Sequence, residues 1–97
     1  MEANLRAAEE RGDPAITRRG DKIALTLTGD PEADARSGVS WAHRPCAEMQ
    51  IPTLPEAGLT VADCGRIIPL TRRATSMRGN PVALSDEELR GIFEAAL

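Results

Sequence analysis

Four residues carry the side chains most able to ligate a metal or act as a nucleophile: His43, Cys46, Asp63 and Cys64. His43-x-x-Cys46 has a spacing that zinc sites use, and Asp63 with Cys64 could complete a set of four. Such a site would also staple a small fold. Adjacent ligands are awkward for a tetrahedron, however, and structural zinc sites usually present two separated pairs. The expectation is therefore no metal and no cofactor, with His43, Cys46 and Cys64 only weak candidates. The cysteines then read as small buried hydrophobes and His43 as a surface residue. The same His43 and Cys46 are the minimum for a thiol nucleophile with its base. Pro45 lies between them and interrupts the helical turn that would bring them together. No catalytic residue is assigned, and the chain is not expected to be an enzyme. Paired acids such as Glu9-Glu10 or Asp30 with Glu32 are ordinary solvated carboxylates, and Gly12-Asp13-Pro14 and Gly79-Asn80-Pro81 are turns without P-loop spacing.

A basic segment offers a different chemistry. Between Cys64 and Ser85 there are four arginines (Arg66, Arg72, Arg73, Arg78) and no acid, with Thr71, Thr75 and Ser76 interleaved. Guanidinium groups in such a segment can grip a phosphate, a nucleic-acid backbone or an acidic protein surface. Asp86 to Leu97 then carries four acids and one arginine, so the basic segment has an acidic neighbour in its own chain. The one tryptophan, Trp41, either fills a core short of aromatics or stands out as a contact anchor.

The 97 residues suggest one compact domain. Of the 41% apolar residues, 15 are alanine, and the aromatics are one Trp and one Phe. A core without aromatic bulk is thin and gains from a partner or an oligomer. The formal charge of −3 does not favour nucleic acid or an anionic membrane. No apolar run approaches the roughly 20 residues that span a bilayer, and the polar Met1 to Glu10 is no signal peptide. The expected location is the cytoplasm, where Cys46 and Cys64 stay reduced. Eleven arginines stand against the single Lys22, the mark of a GC-rich coding background.

The elements that must position these groups read as α+β. Residues 2–11 form a short helix stopped by Gly12 and Asp13-Pro14. Residues 15–28 carry a period-two alternation (Ile23, Leu25, Leu27), and Arg19-Gly20-Asp21 supplies a turn, so a hairpin is expected. Residues 59–70 give a later edge strand ending at Pro69. Residues 29–58 form a Pro-rich loop region that either hides a short strand, Glu48 to Ile51, or is a functional loop, and residues 71–80 form a loop. Ser85-x-x-Glu88 is a capping box, and Leu89, Ile92, Phe93 and Ala96 follow at helical spacing. The expected fold is one small α+β domain over 1–97. In it a C-terminal amphipathic helix packs a small antiparallel sheet, the N-terminal hairpin plus the later strand, beside a short N-terminal helix.

Residues 4–34 resemble the N-terminal part of antitoxins of the Phd/YefM type. The matching positions are Asn4, Leu5, Gly12, Asp13, Pro14, Ile16, Thr17, Arg18, Arg19, Gly20, Ile23, Ala24 and Leu25. The resemblance covers about a third of the chain. It implies a dimer that binds operator DNA, with Arg18 and Arg19 as the contacting residues, and a C-terminus that wraps a toxin. The remaining two-thirds departs from that pattern.

Three functions follow as expectations. The first is a non-enzymatic protein-binding module, a small regulator or inhibitor such as a phage could encode, acting through Arg66, Arg72, Arg73, Arg78 and Trp41. The second is a DNA-binding, antitoxin-like regulator using Arg18 and Arg19. The third is a phage structural or assembly component that forms homo-oligomers. Another protein is the expected partner, and a membrane is not.

Overall fold

A computed structural model describes residues 1–97. It holds six α-helices, two short 3-10 turns and no strand. The expected α+β fold is therefore wrong: neither the N-terminal hairpin nor the later edge strand forms. The chain divides into two compact units, Met1–Ile51 and Pro52–Leu97. No helix is long and apolar enough to cross a membrane.

In the first unit, α1 (Glu2–Glu10) lies where the sequence places it. The predicted hairpin is instead α2 (Pro14–Thr28). Asp13 and Pro14, which read as a stop for α1, also start α2. The Asp13 carboxylate accepts from the Ala15 amide at 3.0 Å, and Pro14 takes the first helical position. Gly29 closes α2 in the left-handed conformation at φ 71°, donating to the Leu25 carbonyl. The threonines that suggested a strand satisfy their hydroxyls within the helix. Thr26 donates to the Lys22 carbonyl at 2.9 Å and Thr28 to that of Ala24 at 2.8 Å.

The stretch read as a Pro-rich loop contains α3 (Ala35–Glu48), so the loop over 29–58 and the strand at 48–51 are also corrected. Asp34 caps α3, accepting from the Ser37 amide at 2.8 Å. The Asp21 carboxylate of α2 accepts from the Ala35 amide at 2.8 Å, so two of the orphan donors at this helix start are satisfied. Pro45 is inside the helix. Lacking an amide hydrogen, it leaves the Trp41 carbonyl without its usual intrahelical donor.

The three helices meet through small side chains. A Cβ built on Gly20 would lie 2.7 Å from that of Ala35, and one on Gly38 would lie 2.8 Å from that of Ala24. The order of these contacts shows that α2 and α3 run in the same sense, so residues 29–34 carry the chain back. The Glu9–Arg36 and Glu2–His43 pairs run in opposite order, so α1 is antiparallel to α3. Leu5, Ala7, Ala8, Ala24 and Ala35 are the buried apolar residues of this unit.

In the second unit, 3-10 turns at Pro55–Ala57 and Val61–Asp63 precede α4 (Cys64–Arg73) and α5 (Thr75–Arg78). The edge strand expected over 59–70 and the loop over 71–80 are replaced by these turns and helices. At the second turn Asp63 Oδ2 accepts from the Thr60 amide at 3.0 Å and from the Thr60 hydroxyl at 3.4 Å. In α6 (Asp86–Ala95) the predicted box is present: the Glu88 amide donates to Ser85 Oγ at 3.1 Å and the Ser85 amide to Glu88 Oε2 at 2.6 Å. α6 packs on α4, and Cys64, Ile68, Val82, Leu84, Leu89 and Phe93 are buried. Cys64 is the largest fully buried side chain of the whole protein.

Candidate protein-binding surface

Trp41 is not part of either core. It stands on α3 with 39% of its surface exposed. Trp41, Pro45 and Met49 follow at intervals of four, which lines them along one side of α3. Met49, at the helix C-cap, is 64% exposed, and Ile51 just beyond it is exposed as well. His43 lies 200° around an ideal helix from Trp41 at about 100° per residue. It faces α1, where its Nε2 is 3.4 Å from Glu2 Oε2. Trp41 therefore occupies the flank of α3 turned away from α1. Sequence reasoning found Trp41 but missed Pro45 and Met49. The spacing that joins them was legible, but Pro45 read only as a breaker.

The proposed metal ligands are not brought together. His43 is engaged with Glu2, and the Cys46 thiol points to the Ala42 carbonyl at 3.6 Å. Cys46 is exposed, contrary to its expected burial, whereas Cys64 is buried; both are free. No group of three or more His, Cys, Asp or Glu side chains forms a potential ligand set.

Arg18 and Arg19 were expected on a hairpin. They stand instead on the exposed face of α2, together with Lys22, and none of the three forms an ion pair.

Arg66, expected on the edge strand, and Arg72, Arg73 and Arg78, expected on the loop, are all helical, the first three on α4 and Arg78 on α5, and they split by role. Arg66 reaches Asp63 at 3.1 Å. The Asp63 carboxyl is held below its ordinary range first by the Thr60 amide and then by the Arg66 guanidinium. Arg72 Nε donates to Asp86, and its Nη2 donates to the Leu84 carbonyl at 3.3 Å. Arg73 and Arg78 are exposed and take no ion-pair partner. Two of the four are thus spent inside the unit, one of them on the acidic first turn of α6.

No family model matches the chain, and no curated protein or solved structure matches it.

Proposed function

We propose that this chain is a non-enzymatic protein-binding module, a small regulator or inhibitor, that uses the Trp41 flank of α3 as its contact surface. The observation carrying this is the partial exposure of Trp41 on a unit whose own core is built from alanine, glycine and Leu5. Tryptophan is the residue type most often found at the energetic centre of interfaces, and its apolar area is costly to leave in water. Half-buried Pro45 and exposed Met49 continue the surface along the helix. Met adapts its shape to a partner, and the Trp indole keeps one polar handle. Arg73 and Arg78 form a separate cationic contact region on the second unit.

Affinity capture from source cells tests this, with wild type and Trp41→Ala immobilised in parallel. A protein retained by wild type and lost by the variant supports the proposal. Equal retention by both, or no specific protein on either, rejects it.

A DNA-binding regulator is the second proposal, favoured by the unpaired Arg18, Arg19 and Lys22 on one face of α2. Phosphate contacts strengthen as salt falls, so a duplex probe should shift at about 50 mM salt and release steeply towards about 200 mM. No shift at the lower salt removes this alternative.

A further inference from the structure

We infer that Thr75 is a phosphoacceptor site for an arginine-directed protein kinase. The sequence Arg72-Arg73-Ala74-Thr75 places two guanidinium groups two and three residues before a hydroxyl. Kinases of this class bind that pattern by pairing acidic side chains with the arginines, and paired guanidinium–carboxylate bonds are strong and directional. The structure presents the pattern openly. Arg72, Arg73, Thr75 and Ser76 are exposed. Ala74 between them is extended, at φ −63° and ψ 134°, and separates α4 from α5. A kinase reads its substrate as extended chain, so Arg72, Arg73 and Thr75 must leave the helix ends that hold them, and the break at Ala74 is where the two short helices would part. Arg73 has no ion-pair partner to surrender, and the Thr75 hydroxyl makes no hydrogen bond that transfer would break.

The co-reactant is a nucleoside triphosphate. Thr75 Oγ1 gives up its proton and bonds to the γ-phosphorus, and the bond from that phosphorus to the β,γ-bridging oxygen breaks, releasing the diphosphate. The product carries about −1.5 to −2 charge in a segment that has four arginines and no acid between Cys64 and Ser85. Arg72 lies three residues before the phosphate and Arg78 three residues after it in the sequence. The phosphate competes with Asp86 for Arg72, so modification acts on the contact that ties the end of α4 to the start of α6.

The test incubates the folded full chain with an arginine-directed serine/threonine kinase and ATP, followed by intact and fragment mass spectrometry. One phosphate on Thr75 is expected, with none there in Thr75→Val. Losing a charge-assisted contact should slow transfer to Arg73→Ala by about tenfold, while Arg78→Ala, downstream of the acceptor, reacts like wild type. Circular dichroism of each variant confirms the fold, and Arg73 is chosen over Arg72 because it holds nothing in place. Phosphate on Ser76 instead of Thr75, no incorporation, labelling only after denaturation, or equal rates for wild type and Arg73→Ala would each overturn the inference.

Discussion

Gly38 on α3 faces Ala24 on α2 so closely that a Cβ on the glycine would lie 2.8 Å from the alanine Cβ and 3.0 Å from its Cα. The second contact is with backbone, which cannot turn aside as a flexible side chain does. Together with Gly20 against Ala35, this makes the α2–α3 seam a contact of main chains more than of side chains, and its stability depends on the absence of a methyl group.

Gly38→Ala should therefore destabilise the first unit. Alanine gains about 1 kcal/mol over glycine in helix propensity, but overpacking a close contact costs about 1–3 kcal/mol. Gly91, inside α6 with nothing near its missing Cβ, is the control: Gly91→Ala should stabilise by about 0.5–1 kcal/mol. Urea midpoints moving in opposite directions are the expected result.

Trp41→Ala should separate binding from folding. With 39% of its surface exposed, Trp41 is still mostly covered, so the truncation should cost about 1–2 kcal/mol of stability, while the affinity of the folded variant for a captured partner falls by about 2 kcal/mol or more. Trp41 is the chain's only tryptophan, so a blue shift of its emission on complex formation reports this surface alone.

Arg72→Ala and Arg73→Ala should differ although the residues are neighbours. Arg72 loses an exposed ion pair worth up to about 1 kcal/mol and the bond to the Leu84 carbonyl. Arg73 holds no ion pair, and its replacement should stay within about 0.5 kcal/mol of wild type. Thermal unfolding of the two variants checks the ordering.

Acid should weaken the fold through three carboxyls. Asp34 is held below its ordinary range first by the Ser37 amide and then by its hydroxyl, Glu56 likewise by Thr53, and Asp63 by the Thr60 amide and Arg66. The unfolded chain binds these protons more readily, near about pH 4. Their contribution is present above that range and is lost as pH falls through the lower folded values. A triple variant, Asp34→Asn, Glu56→Gln and Asp63→Asn, should show a flatter decline of urea midpoint between about pH 5 and about pH 3.

The two terminal helices were legible because their signals are local. α1 carries a short apolar stripe, and Ser85-x-x-Glu88 declares the start of α6 by its own hydrogen bonds. The middle was misread for reasons that are also physical. Ile23, Leu25 and Leu27 alternate, yet Ile16, Gly20, Ala24 and Leu27 make a helical stripe once glycine is counted as a packing residue and not as a turn. Pro45 and Pro69 broke the helical pattern on paper, whereas each helix continues past its proline and gives up one backbone bond. Trp41 was legible as a candidate but not its exposure, which depends on where α1 packs. The fates of Arg66 and Arg72 follow from acids that only the fold brings within reach.

The shared direction of α2 and α3 has an electrostatic consequence. In an antiparallel pair the macrodipoles of neighbouring helices oppose and largely cancel, but here two lie side by side with the same polarity. The antiparallel α1 can offset only part of the sum. Each helix start carries roughly half a positive charge, and the start of α3 receives two carboxylates, Asp34 from its own cap and Asp21 from α2. Those acids are counter-ions to an arrangement of backbones that would otherwise repel, which is why a helix rich in cations keeps its one acid on the inner side.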